Sequence, residues 1–358
     1  MTTRQEAGPE ITKDRVVFRV SDPDESYEEV RLLQEIRRPR NEPLFTRRNG
    51  VWEADFASDG AARIEYQFEI AHADGGREVV CDPDNPRRAP GPFGDKSVVE
   101  LPGYGAPEWT EREPVEEGRL EEFHVRSTVL REDVDGLLWS SDEVDDGAAV
   151  PLLIVHDGPE TARYSRLLQC LALAVEDGEL PPMRAALLQP PGDRNETYSA
   201  SAAYARAFSH EILPALSDAA PVPPGRAARA AMGASLGALA LLHVHRRHPA
   251  IVGGLFLQSG SFFRMRYDRQ EAGFPRFRRI SRFVGTVLTA EDWAHPIPVT
   301  MTCGTVEENL ANNRAVADAL RRQGYPVKLH EHPDAHNWIS WRDVFRPHLV
   351  DLLQGIWT

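Results

Sequence analysis

The sequence predicts two folded parts in series: an all-β sandwich, then an α/β domain built on a mostly parallel sheet. Three observations lead there. Within residues 15–101, short strand-like segments follow one another with no helix-period segment between them. From about residue 150, continuous apolar runs alternate with helix-period segments, the pattern of a parallel sheet with right-handed crossovers. Between the two, residues 82–118 are rich in proline and glycine, which fix or free the backbone and remove donors, so an extended linker is expected. The boundary is placed near residue 110, giving parts 1–110 and 111–358.

The individual elements support this division. Strands are expected at 15–20 (RVVFRV), 29–34 (EVRLLQ), 50–56 (GVWEADF) and 64–70 (IEYQFEI). In the last, Ile64, Tyr66, Phe68 and Ile70 alternate strictly and share one face. Turns at Asp59-Gly60 and Asp74-Gly75-Gly76 punctuate them, and residues 97–101 are the candidate closing strand. Short strands at this spacing suggest a β-sandwich. An antiparallel pair follows at 121–130 and 135–140, then the apolar run 152–155 (LLIV), the mark of a strand buried on both faces. Further strands are expected at 185–188, 227–232, 255–257, 299–302 and 327–330. Helices are expected at 164–176, 202–216, 236–247, 309–322 and 341–353.

Composition narrows the function classes. The formal charge of −14 argues against nucleic acid as a partner. Cys81, Cys170 and Cys303 are far apart and form no CxxC pair, so neither a disulfide framework nor a cysteine zinc site is expected. No apolar run approaches the roughly 18 residues a membrane span needs. The polar start, MTTRQEAGPEITKD, carries no apolar signal region. A soluble cytoplasmic protein is the expectation.

The strongest local signal is Gly233-Ala234-Ser235-Leu236-Gly237, a G-x-S-x-G between an expected strand and an expected helix. That context is the nucleophile elbow of an α/β-hydrolase, in which a strained turn thrusts the serine out at the carboxyl end of its strand. The Leu236 N–H then lies at a helix N-terminus, where orphan donors favour negative charge, and forms half of an oxyanion hole. The other half is expected from the loop after 152–155, at Asp157 or Gly158, since Pro159 has no N–H. A serine nucleophile needs a base. In the order serine, acid, histidine, the base falls after the last strand, where His330, His332 and His336 compete. Only His336 lies on the loop beyond the strand, and it is chosen. The acid falls after 299–302, at Glu307 with Glu308 in reserve, although the dipole alone favours glutamates in a first helical turn.

At these residues a family becomes recognisable. HDGPE, LPPMRAALLQPPGDRNETYSA, EILPAL, GASLGALALLHVHRRHP, GGLFLQSGSFF, CGTVEENL and HNWISWRDVF occur in this order over about residues 150–355. Together they resemble the enterochelin (ferric enterobactin) esterase family of esterase D-like α/β-hydrolases. The resemblance implies Ser235 as nucleophile, His336 as base, Glu307 as acid and Arg194 at the site. The first part is similar to the immunoglobulin-like modules that precede such hydrolases, on Gly50-Val51-Trp52-Glu53, the Tyr66 strand and Asp82-Pro83…Asn85-Pro86. Gly237-Ala238 departs from the family's paired glycines, as does Asp334-Ala335 from the glycine before the histidine. Arg194 could hold a substrate oxygen through its fork of donors, or pair locally with Glu196 or Asp193.

Residues 264–282 hold Arg264, Arg266, Arg269, Arg276, Arg278, Arg279 and Arg282 against Asp268 and Glu271 only. In this fold an insertion there caps the site, and its positive field would draw in an anion such as a ferric tris-catecholate. A solvated charge run, or pairing with the first part, is the plainer reading. The expectation is therefore a serine esterase acting through an acyl-enzyme, with no cofactor and no metal, on a ferric catecholate-siderophore lactone. Arg194, Arg264 and Arg266 are its expected substrate contacts. Three rivals stand beside it. One is a carbohydrate or feruloyl esterase whose first part binds polysaccharide through Trp52 or Trp109. Another is a zinc site on the H-x-H-x3-H of His330, His332 and His336. The third is a non-catalytic siderophore carrier.

Overall fold

The computed structural model describes residues 8–38 and 42–357. The N-terminal residues 1–7, on which part of the leader reading rests, lie outside the described residues. The chain divides into two compact units. One comprises Met1–Ala106 with two short later segments, Gly304–Glu308 and Glu331–Ser340; the other comprises Pro107–Cys303, Asn309–His330 and Trp341–Thr358. The sequence reading assigned 304–308 and 331–340 wholly to the second part, because chain proximity gives no sign of where a returning loop packs.

The first unit is built on strands β1 (Glu10–Ile11), β2 (Arg15–Ser21), β3 (Tyr27–Gln34), β4 (Thr46–Arg48), β5 (Val51–Ala57), β6 (Arg63–His72), β7 (Arg77–Val80), β8 (Arg88–Ala89) and β9 (Lys96–Glu100). They form antiparallel sheets in the orders β1-β2-β5-β4 and β3-β6-β9-β8, with β7 on β6. The alternating face of β6 supplies the core: Ile64, Tyr66, Phe68 and Ile70 are buried with Phe18 of β2 and Phe56 of β5. Phe18 meets Tyr66 edge-to-face at 4.7 Å, a geometry the ring quadrupoles favour.

The stretch after residue 82 is not the extended linker expected. The Tyr66 hydroxyl donates to Asp82 at 2.6 Å, and Asn85 Nδ2 donates to that hydroxyl and to the Val98 carbonyl at 3.0 and 2.8 Å. Asp82 and Asn85 are buried, so these prolines shape a folded segment of the sandwich.

The second unit contains β10 (Arg119–Ser127), β11 (Glu132–Ser140), β12 (Leu152–His156), β13 (Arg184–Leu188), β14 (Arg229–Ala234), β15 (Gly254–Gln258) and all but the last residues of β16 (Val299–Gly304) and β17 (Val327–His332), which belong to the first. The sheet order is β10-β11-β13-β12-β14-β15-β16-β17. The β10–β11 and β11–β13 pairs are antiparallel; β12 to β16 pair in parallel. The run LLIV has a simple cause. Leu152 and Ile154 enter one apolar cluster, while Leu153 and Val155 enter the other, so both faces of β12 are covered.

Helices α1 (Gly158–Ser165) and α2 (Leu167–Glu176) replace the single helix expected over 164–176, because Arg166 between them has φ 52°. Next come α3 (Arg194–Tyr198), α4 (Ala202–Ala207), α5 (Leu213–Ala219) and α6 (Leu236–Arg247). Then follow α7 (Phe277–Thr289), α8 (Leu310–Arg322), α9 (Trp338–Asp343) and α10 (Val350–Trp357). Helix α7 was not expected: its arginines masked a stripe of Phe277, Ile280, Val284 and Val287, all buried. No helix among the described residues is long and apolar enough to cross a membrane.

Candidate active site

Ser235 joins β14 to α6, and its backbone is at φ 55°, ψ −119°. That is outside the regions an L-residue adopts without strain. The glycines make the turn possible. A Cβ on Gly233 would come within 2.8 Å of the Gly237 carbonyl carbon, and one on Gly237 within 3.2 Å of His156 Cβ and 3.3 Å of Asp157 Oδ2. The Ser235 N–H donates to the Gln258 carbonyl at 2.8 Å, tying the elbow to the end of β15. Its Oγ lies 3.1 Å from the Ser261 Oγ, and the Ser261 N–H donates back to the Ser235 carbonyl at 3.1 Å.

Sequence reasoning missed this support. Below the elbow, the Asn313 side chain accepts from the Gly260 N–H at 3.0 Å and donates to the Gly260 carbonyl at 2.9 Å. The Trp341 indole donates to the Ser259 Oγ at 3.0 Å, and Gln258 Nε2 donates to the Trp341 carbonyl at 3.0 Å. Ser259, like Ser235, has a positive φ (47°). The repeated serines of QSGS were the available signal.

Asp157, in the left-handed region at φ 49°, caps α1, which begins at Gly158. A Cβ on Gly158 would overlap the Leu187 backbone of β13, so only glycine lets the helix start this close to the sheet. The Asp157 carboxylate is held by both arms of Arg194, each at 2.7 Å. Arg194 therefore pairs with neither local acid proposed from the sequence. Glu196 instead pairs with Arg276 and Arg279, and the Asp193 side chain caps α3 by accepting from the Asn195 N–H at 2.9 Å. Behind Asp157, His156 is buried between Tyr204, whose hydroxyl lies 2.8 Å from Nε2, and a stacked Tyr198. Burial holds its pKa down to about 4, so it stays neutral.

In the first unit, Glu307 and His336 meet: His336 Nδ1 lies 2.8 Å from Glu307 Oε2. The Glu307 side chain is 1 % exposed, and its Oε1 accepts from the Gly304 N–H at 2.8 Å. Burial lowers the His336 pKa, but the Glu307 carboxylate, helped by Glu35 and Glu308, outweighs this and holds it above its ordinary value. The remaining histidines go elsewhere. His332 Nε2 meets the Ser340 hydroxyl at 2.7 Å, and His330 stacks on His348 at 3.6 Å. Each of the three has different partners, and no group of three metal-binding side chains occurs among the described residues.

The arginine-rich segment lies in the second unit. Arg264 is paired within the segment: Asp268 takes its Nε and Nη2 at 2.9 and 3.0 Å and its backbone N–H at 2.6 Å. Arg276, itself exposed, and Arg279 pair with Glu196; Arg266, Arg269, Arg278 and Arg282 are exposed as well. Neither tryptophan proposed for polysaccharide forms an exposed platform. Trp109 is 4 % exposed within the second unit's core, and Trp52 is half-buried, donating to Asp22 under the Arg47 guanidinium.

Comparison with known proteins agrees with the fold. The Esterase family model matches residues 140–352. The iron(III) enterobactin esterase of Dickeya dadantii is 27% identical over 214 residues, covering 57% of this chain and 48% of that protein; the chain thus aligns with about half the length of this curated relative. The crystal structure of the enterobactin esterase from Shigella flexneri in the presence of enterobactin superposes with a TM-score of 0.76 at 19% identity, covering 99% of this chain and 97% of the other. The ferric enterobactin esterase of Salmonella typhimurium does so with the same TM-score, identity and coverage. A ferulic acid esterase superposes over 68% of this chain and 100% of its own, with a TM-score of 0.56 at 18% identity. At such identities the superpositions establish the fold, a mixed α/β architecture with an all-β first part. The family match rests on the sequence from the end of β11 to α10, which includes the Ser235 elbow and both loops with Glu307 and His336: the chain belongs to the Esterase family.

Proposed function

We propose that the chain hydrolyses carboxylic esters through an acyl-enzyme on Ser235, with His336 as general base and Glu307 as its orienting acid. The observation that carries this reading is the 2.8 Å bond between His336 Nδ1 and the buried Glu307 carboxylate. A carboxylate there keeps the proton on Nδ1 and gives Nε2 the basic lone pair. Ser235, Glu307 and His336 follow the ends of β14, β16 and β17, the chain order of an α/β-hydrolase triad. Ser235 Oγ attacks the ester carbon while His336 Nε2 takes its proton. The carbonyl oxygen becomes an oxyanion, for which the Leu236 N–H and that of Asp157 or Gly158 are the donors. The C–O bond to the leaving alcohol then breaks, and that alcohol takes the proton from Nε2. Water repeats the sequence and releases the acid. Ser235→Ala, with folding checked by circular dichroism, should lower the turnover of an aryl ester by about 10³ or more. Turnover like the parent's would end the reading.

For the substrate, the iron-siderophore esters named for the relatives are the favoured class. The exposed Arg266 and Arg269 beside a half-exposed Met265 and an exposed Tyr267 offer charge and apolar surface to an anionic aromatic ligand. The expected product of a ferric catecholate lactone is the ring-opened linear ester, read by mass spectrometry. Cleavage of feruloyl sugars but not of the lactone would transfer the assignment to the rival reading.

A further inference from the structure

The first unit holds more than a sandwich: the segments bearing Glu307 and His336 are folded into it. Val306 and Ala335, next to those two residues, are 1 % and 4 % exposed and belong to the same apolar cluster as Phe18, Tyr66 and Phe68. The backbone is pinned as well. The N–H groups of Arg37 and Arg38 donate to the Val306 carbonyl at 2.9 and 3.1 Å, and that of Ala62 donates to the Pro333 carbonyl at 2.6 Å.

A buried charged network completes the attachment. Arg63, at the start of β6, is 4 % exposed and pairs with Glu65 at 2.7 Å. Its Nη1 also reaches Asn337 Oδ1 at 3.5 Å. Asn337 Nδ2 donates to Asp334 Oδ1 at 3.1 Å, and Asp334 Oδ1 accepts the Ala335 N–H at 2.7 Å. Asn337 Oδ1 accepts the Ser340 N–H at 2.8 Å. The network thus holds residues 334, 335 and 337, on both sides of His336. Asp334, Asn337 and Glu65 are all under 9 % exposed. Burial pushes the Asp334 carboxyl up to about 7, and the Arg63 charge opposes that rise. A buried arginine paired with a buried carboxylate is costly to desolvate and is a weak source of stability. It is suited to fixing one loop geometry, because its hydrogen bonds hold together in one arrangement.

We propose that the N-terminal β module positions the histidine and acid loops, and that Arg63 is the positioning residue through which β6 sets the His336 loop. This rests on His336 being the base. Arg63 touches no reacting atom, so its loss should act on kcat and not on ester binding.

The test uses the full chain and a neutral aryl ester, together with proton NMR of the far-downfield imidazole N–H expected of a histidine bonded to a buried carboxylate. Arg63→Gln should lower kcat by about ten- to a hundredfold with KM changed less than about twofold, the scale of a misplaced catalytic group. The downfield resonance should broaden or vanish. Should that variant not fold, Arg63→Met/Glu65→Leu removes both charges with similar volume and should show the same kcat loss. Either folded variant with the parent's kcat and an unchanged resonance overturns the proposal. Failure of the underlying reading looks different: the parent's kcat would survive His336→Ala, or the downfield resonance would persist in it.

Discussion

Glu307→Gln tests the electrostatics of the proposed base in one atom. The partners of the parent carboxylate include the Gly304 N–H on Oε1 and His336 Nδ1 on Oε2, both at 2.8 Å. The substituted amide must keep an oxygen toward Gly304, which can only donate, so its NH2 turns to His336. Nδ1 then becomes an acceptor and the proton moves to Nε2, the nitrogen that has to take the serine proton. The charge is lost too. Charge centres about 4 Å apart at an effective dielectric near 20 interact by about 4 kcal/mol, about a thousandfold in rate. The two effects fall on one step and do not simply add, so kcat should fall by about 10³ to 10⁴. KM should hardly change. The pH profile adds a sign. The carboxylate holds the His336 pKa above its ordinary value, so residual activity in the variant should persist to lower pH than in the parent. The assay is steady-state hydrolysis of an aryl ester from pH 5 to 9. A variant within a few-fold of the parent's kcat, or an acid limb moved to higher pH, would refute the reasoning.

Two further outcomes are expected. Gly158→Ala would drive a Cβ into the Leu187 backbone, so stability should fall by about 2 kcal/mol or more in urea unfolding, and an unchanged midpoint would contradict the packing described. Neutralising Arg266 and Arg269 together should raise KM for an anionic ferric siderophore but not for a neutral ester, and the difference should shrink as salt shortens the Debye length from about 10 Å at 0.1 M to about 3 Å at 1 M. Equal loss on both substrates would make these arginines structural.

The parts of this molecule that the sequence discloses are those whose cause is local. Alternation marks Ile64, Tyr66, Phe68 and Ile70 as an inward face because a strand's period is two. The elbow is readable because strand, glycines, serine and helix are consecutive. What stays hidden depends on partners far along the chain. Arg63 and Glu65 fall on the outward face of β6 by the same alternation, yet they are buried with a segment some 270 residues later. Arg194 finds Asp157, 37 residues back, in place of its neighbours. The Asp82–Asn85 segment looks like a linker until the Tyr66 hydroxyl is seen to organise it. Helix α7 was an avoidable miss, since its apolar stripe has ordinary helical spacing and only the charge count drew attention away.

The most direct test of the central claim is to find where the covalent intermediate forms. The full chain is treated with a fluorophosphonate or a slowly deacylating aryl ester, digested, and mapped by tandem mass spectrometry. The account predicts a single stoichiometric adduct on Ser235, absent from Ser235→Ala and slowed about 10³-fold or more in His336→Ala. An adduct on another side chain, Ser261 included, or full turnover with no adduct at all and loss of activity on chelation, would contradict it.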